Sequence, residues 1–283
     1  MESRPGGARA VAVLREPTFS PGMVERDAAI LRGTAAELGK RHGIDCPVLA
    51  IEDARALDHV PDLVLSMAEG DDSLALLGEL ERRGAAVVNA PSAVRATRRE
   101  ALLALARPAG PLVEGVLVAT NETHRIPRAL LARGSVWIKR ADYHALGPGD
   151  VARVDSRQVV ATLRALNGRG IGRAVVQPHL EGPVVKFYGV DHERTFFRSF
   201  VIDGKLTASP GELEDLEARA FAAARAAGIS VFGGDAVFSP GEPPVLIDLN
   251  AWPSFWRCLP EAAHAIADHA AALLSARFAS RVA

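Results

Sequence analysis

Over residues 11–88 the hydrophobic positions fall in short continuous runs separated by amphipathic stretches. Residues 11–14, 46–51, 62–66 and 86–88 read as four strands, because continuous apolar runs suit strands buried on both faces. Ala28, Leu31, Ala35 and Leu38 recur at helical spacing within 24–42, which predicts a helix closed by Gly43. Residues 72–83 predict a second helix, ending at Gly84. Strand–helix alternation with short connections predicts a small doubly wound parallel sheet, whose ligands meet the loops beyond the carboxyl ends of its strands. Arg15, after the first strand, is therefore a candidate substrate contact; the alternative is an ordinary surface charge.

From Pro91 the pattern changes. Pro91 opens a helix over 91–106 that carries Arg95, Arg98 and Arg99. Residues 111–119 predict a strand, 123–133 a helix, 136–139 a strand ending in Lys139, and 158–167 a helix. A further strand over 174–177 is broken by Pro178, and 184–190 with 195–202 form a hairpin about His192. Ser209 to Glu212 is a capping box that starts a helix running to Ala227. A second hairpin spans 235–249, and 260–278 close the chain as a helix, with Trp252, Phe255 and Trp256 before it as core packing.

The two hairpins hold the chemistry. A turn centred between Gly241 and Glu242 sets Asp235 opposite Asp248, and Asn250 shares the Asp248 face. Like charges about 4 Å apart repel by roughly 4 kcal/mol at an effective dielectric near 20. A cation between them removes that conflict, and two carboxylates with an amide oxygen suit Mg²⁺. The alternative is a solvated polar face. In the other hairpin a turn at His192 sets Lys186 opposite Arg198, a pair that an anion such as a triphosphate would reconcile. The alternative is that both cations reach solvent from an edge.

Composition narrows the function classes. The chain has 283 residues with 33 basic and 34 acidic side chains, a net charge of −1, which leaves no electrostatic footprint for nucleic acid or an anionic membrane. No apolar run is long enough to span a bilayer. Two cysteines exclude a disulfide framework and fit a reducing cytoplasm. The oligomeric state leaves no trace in the sequence.

Asp235, the hairpin, and Asp248-Leu249-Asn250-Ala251-Trp252-Pro253 resemble the metal-binding end of the ATP-grasp superfamily, with the Asp-x-Asn-Ala-aromatic-Pro form of the inositol 1,3,4-trisphosphate 5/6-kinase branch. Lys139 followed five residues later by His144, and the Lys186-Phe187-Tyr188 strand, resemble the same branch. The resemblance implies an α/β and α+β chain: a doubly wound pre-ATP-grasp domain over 1–90, then two α+β subdomains, 91–173 and 174–283, clamping ATP with two Mg²⁺ ions. It implies that Asp235, Asp248 and Asn250 hold metal. Lys139, Lys186 and Arg98 or Arg99 would meet the phosphates under a Gly147-Pro148-Gly149 loop. Gln177 and Leu180 would meet the adenine edge through the backbone. Lys139, His144, Lys186 and Arg198 would serve catalysis, with Arg15, His144, Arg198 and Ser254 toward a small-molecule substrate.

Three activities follow from that resemblance: a carboxylate–amine or carboxylate–thiol ligase, a small-molecule kinase, or a non-catalytic ATP-binding module. Glu69, Asp71 and Asp72 give the first domain an acidic turn, which suits an amine-bearing acceptor better than a polyphosphate and favours the ligase.

Overall fold

The computed structural model describes residues 9–106 and 110–282, with the side chains of 198–200 and 280–282 outside that description. The described residues form three four-stranded sheets. The first is wholly parallel, in the order β2-β1-β3-β4, built from β1 (Ala10–Val13), β2 (Val48–Leu49), β3 (Leu63–Ser66) and β4 (Ala86–Val88). Successive side chains of β1 enter different cores. Val11 and Val13 pack with α3 (Asp71–Arg82), while Ala10 and Ala12 pack with α1 (Val24–His42). Double burial is why these strands read as unbroken apolar runs. The predicted second strand is shorter than expected, because a short helix, α2 (Ile51–Arg55), begins where the strand was to end.

The predicted helix over 91–106 is two helices, α4 (Pro91–Ala96) and α5 (Arg99–Leu105). Arg98 between them is extended at φ −60°, ψ 140°, so α5 starts in a new direction. The predicted strand over 111–119 also divides. Residues 111–113 run beside Leu246, with Val113 N–H donating to Leu246 O at 2.9 Å, and only β5 (Val116–Ala119) joins the next sheet. The predicted helix over 123–133 contracts to α6 (Arg128–Leu131), because Pro127 ends any helical run through it.

The second sheet is antiparallel, in the order β5-β8-β6-β7, and adds β6 (Ser135–Arg140), β7 (Val151–Asp155) and β8 (Arg173–Pro178). Strand β7 is an edge strand without a buried position, so it has no apolar alternation to announce it. Its sheet packs Val136, Ile138, Ala174 and Val176 against α7 (Val159–Gly168). Residues 174–178, which the sequence assigns to the third subdomain, are thus hydrogen-bonded into the middle sheet.

The third sheet is antiparallel, in the order β10-β9-β11-β12, from β9 (Val184–Val190), β10 (Thr195–Asp203), β11 (Val231–Val237) and β12 (Val245–Ala251). Helix α8 (Pro210–Ala227) covers one face, burying Leu216, Ala220 and Phe221 against Val185, Phe187 and Phe232. The closing helix α9 (Leu259–Val282) returns to α1, its Ala262, Ala263 and Ile266 packed with Ile30 and Leu31. Trp252 and Phe255 are in that core, but Trp256 is 43% exposed between Arg26 and Arg257. Among the described residues no helix is long and apolar enough to cross a membrane.

Candidate active site

The second and third sheets each turn one face to a helix and the other to a shared cleft. In β6, Val136 and Ile138 enter the core, so period two sends Trp137 and Lys139 to the cleft. In β9, Val185 and Phe187 are core and Val184 and Lys186 face the other way. The cleft has a volume of about 600 Å³, and Trp137, Lys139, Gln177, Leu180, Asp235 and Asp248 are among its lining.

Asp235 pairs with Asp248 in the β11–β12 ladder as expected, but not through the turn alone. The pairs Val237–Val245 and Ala236–Leu246 centre on Gly241, at φ +77°, and an irregularity between Asp235 and Ala236 takes up Ile247 and brings Asp248 opposite Asp235. A Cβ at Gly234 would run into the Asp248 carbonyl and the Phe187 ring, so the residue before Asp235 must be bare for the three strands to close. Gly233 and Gly234 pair with Asn250 and Leu249, so no bulge separates Asp248 from Asn250 and the two share a face.

The cationic hairpin is different from the expectation. Lys186 pairs with Phe200, not Arg198, because the turn pairs Thr195 with Val190, one register step beyond a centre at His192, and β10 carries an irregularity between Phe197 and Phe200 that adds a second step. The side chain of Arg198 lies outside the described residues. Across its other edge Lys186 is in register with Asp235, and its Nζ lies 2.6 Å from Asp235 Oδ1. The charge partner is a carboxylate on β11 rather than a second cation.

Arg99 and Arg98 diverge at the break between α4 and α5. Arg99 is buried, stands 3.6 Å from Asp248 Oδ2, and donates to the Tyr143 carbonyl at 2.8 Å. Arg98 turns outward and donates to Asp71 at 2.8 Å. Lys139, 7% exposed, donates to the Ile247 carbonyl at 2.8 Å. His144 Nδ1 is 3.8 Å from Asp248 Oδ1, and it is buried without a hydrogen-bond partner.

Burial would raise the Asp248 carboxyl, but Arg99, His144, Lys139 and Lys186 together hold it below the usual carboxylate range. For Asp235 burial wins over Lys186, and with the nearby Asp248 charge pushes its carboxyl up. Burial pushes the Lys139 ammonium down, Arg99 adds to this, and Asp248 and Asp235 oppose it. Burial likewise pushes the His144 imidazole down against the pull of Asp248 and Glu69. Among the described residues no group of three His, Cys, Asp or Glu side chains is placed to hold a metal. Two facing carboxylates and an amide fit Mg²⁺, which keeps several waters and takes further oxygens from substrate phosphates.

Gln177 is buried, with Nε2 directed to the Val113 carbonyl at 3.4 Å. The sequence reading overlooks Trp137 and His179, whose rings line the cleft with the indole N–H on His179 Nδ1 at 3.2 Å. Period two from Lys139 is the signal that would have found Trp137.

The remaining expectations concern the first sheet. Arg15 is inside the protein: Nε donates to the Met67 carbonyl at 3.1 Å, Nη1 to Asp27 at 3.0 Å and Nη2 to the Trp252 carbonyl at 2.8 Å, with Glu69 at 3.1 Å. It therefore ties the first sheet to the end of β12, and neither of the alternatives considered for it, substrate contact or surface charge, describes those bonds. Glu69 and Asp71 are taken up by Arg15 and Arg98, which removes the argument that this turn awaits an amine. Ser254 is buried in the loop after β12.

The whole chain superposes on D-alanine–D-alanine ligase from Bacillus anthracis with a TM-score of 0.71 at 12% identity, over 98% of this chain and 100% of that one. It superposes on D-cycloserine synthetase DcsG with a TM-score of 0.64 at 17% identity, over 92% and 99%. A third match is the ATP-grasp ligase PsnB bound to a minimal precursor, with a TM-score of 0.63 at 17% identity, over 93% and 99%. The chain has the ATP-grasp fold. No family model and no curated sequence matches it. The order of sheets in this fold explains why charged residues far apart in sequence meet at one cleft.

Proposed function

We propose that this ATP-grasp protein is a Mg-ATP-dependent ligase that joins a carboxylate to an amine or a thiol through an acyl phosphate. The observation that carries the reading is the facing pair Asp235 and Asp248 at a cleft that also holds Lys139 and Arg99, with Lys186 paired to Asp235. The fold likeness to ligases supports it, and the neighbours include complexes with ATP, with AMPPNP, and with Mg and ADP.

In this reading the backbone of Gln177 to Leu180 receives the adenine edge. Lys139, Lys186 and Arg99 neutralise the phosphates, and Asp235, Asp248 and Asn250 hold Mg²⁺, which supplies charge neutralisation to the phosphoryl group in flight. A substrate carboxylate oxygen forms its bond to the γ-phosphorus as the bond to ADP breaks. The amine or thiol then attacks the acyl carbon, inorganic phosphate leaves, and the nucleophile gives up its proton. His144 stands beside Asp248, held largely neutral by burial, and so can accept that proton or orient the transferred group. Arg198 and Ser254 remain assigned to the substrate, and Arg15 acts indirectly by holding the loop after β12. The two buried cysteines suit a reducing cytoplasm.

A kinase of the inositol-phosphate type is the second reading, carried by the Lys139–His144 spacing and the Lys186 strand. Coupled assays with Mg-ATP and panels of carboxylates and nucleophiles separate the two. A ligase releases inorganic phosphate only when a carboxylate and a nucleophile are both present. Radiolabel retained on a single acceptor would establish the kinase, and the absence of any heat of nucleotide uptake would overturn both.

A further inference from the structure

Residues 141–150, between β6 and β7, carry His144 into the site, and the two halves of this loop are anchored differently. The second half is folded on Asp150, which is fully buried. Its carboxylate accepts from the Leu146 and Gly147 amides at 2.8 and 3.1 Å and from Arg140 at 3.1 Å, and it also pairs with Arg169. The first half reaches out of its own sheet. The Tyr143 hydroxyl donates to Asp71 Oδ2 at 2.9 Å, and its ring centre lies 4.9 Å from that of Phe19. The Arg98 guanidinium stands 4.7 Å from the Tyr143 ring centre while it donates to the other Asp71 oxygen. Phe19 follows β1, and Asp71 opens α3 after β3. One side chain thus touches the loops beyond both central strands of the parallel sheet, where such sheets present their ligands. The main chain of the same residue faces inward, its carbonyl held by Arg99 beside Asp248.

We propose that Tyr143 is a positioning residue that acts as a latch on the acceptor side of the site. Its bond to Asp71 holds 141–145, and His144 with them, against the parallel-sheet domain, and the acceptor enters when that bond opens. The latch side chains Phe19, Asp71, Arg98 and Tyr143 are outside the lining of the 600 Å³ cleft, which reaches the held segment at Ala145. The word acceptor rests on the function proposed above; the latch itself is a property of the fold. A single partly exposed hydrogen bond shifts such an opening equilibrium by about three- to tenfold, enough to hold a loop and weak enough to release it.

Hydrogen exchange on the full chain tests this with Tyr143→Phe, which keeps the ring contacts with Phe19 and Arg98, and with Asp71→Ala. In both variants the amides of 141–145 exchange about three- to tenfold faster, while exchange at 177–180 is unchanged and AMPPNP binds within about twofold of wild type. Unchanged exchange at 141–145 in both variants would overturn the latch. So would a parallel loss of AMPPNP affinity, which would put Tyr143 in the nucleotide site. Neither readout needs turnover, so the latch and the ligase reading can fail separately. With an acceptor in hand, Tyr143→Phe changes the KM for that acceptor and leaves the KM for ATP unaltered; equal changes in both would reduce Tyr143 to a structural part.

Discussion

Asp235 and Asp248 lie opposite each other in one ladder, yet their carboxyls are driven in opposite directions. The cations decide this. Arg99 and His144 flank Asp248 at 3.6 and 3.8 Å, with Lys139 and Lys186 also in electrostatic reach, whereas Asp235 has Lys186 at 2.6 Å against deep burial and a like-charged neighbour. One carboxylate is thus fully anionic and the other reluctant, a pair suited to being completed by a divalent ion.

The two aspartates should respond oppositely to neutralisation in the absence of metal. The depressed pKa of Asp248 contributes stability above the unfolded carboxylate value, about 3.9, and that stability is lost as pH falls through the folded value. The raised pKa of Asp235 has the other sign: its favourable contribution is present below about 3.9 and is lost as pH rises through the folded value. Asp248→Asn should therefore cost about 3 kcal/mol near neutral pH by leaving Arg99 unpaired, lowering Tm by roughly 6–10 °C. Asp235→Asn should leave Tm unchanged or higher at pH 8 without metal. Melts of both variants in a chelator check this, and a fall in Tm for Asp235→Asn comparable to that for Asp248→Asn would refute it.

Metal affinity should follow the reluctant carboxylate. Mg²⁺ needs Asp235 ionised, and burial keeps its proton on to a higher pH than an ordinary aspartate. Calorimetric titration of Mg-AMPPNP across pH 4.5–8 should show affinity beginning to fall before the usual carboxylate range is reached. A profile flat down to that range would contradict the assignment of Asp235.

Asp248→Asn should also abolish Mg-dependent turnover while the far-ultraviolet spectrum stays native. Loss of one hard anionic ligand should weaken Mg-nucleotide binding at least ~10-fold. Retained turnover would remove Asp248 from the metal site.

Arg15→Ala tests the tie between the first sheet and β12. Removing this guanidinium leaves Asp27 and Glu69 without their cation and frees the carbonyl of Trp252, a residue held at φ +41°. A buried charge network broken on one side costs about 3–5 kcal/mol. Tm should fall by roughly 6 °C or more, and nucleotide affinity should fall far less than in Asp248→Asn. A melt within a degree of wild type would show that the network carries no stability.

Much of this was legible because short-range rules apply to it. Apolar runs located the parallel strands, and the hairpin about Gly241 brought Asp235 and Asp248 together, although the pair is completed by an irregularity at Ile247 that the sequence does not announce. Other elements were illegible for stated reasons. The break before Arg99 contains neither glycine nor proline, and β7 buries nothing that would mark it. Arg198 is out of register with Lys186 for two reasons: the β9–β10 turn centres beyond His192, and the irregularity in β10 then adds a second residue, which resets every later pair.

By itself the sequence determined which residues could bear charge toward a common face, because side-chain period and turn position are local properties of the backbone. Only the tertiary structure decided which charges meet. Lys186 is beside Asp235, Arg99 and His144 are beside Asp248, and Arg15 is inside the protein, because these partners come from different strands and loops whose approach depends on sheet order and core packing, not on spacing along the chain.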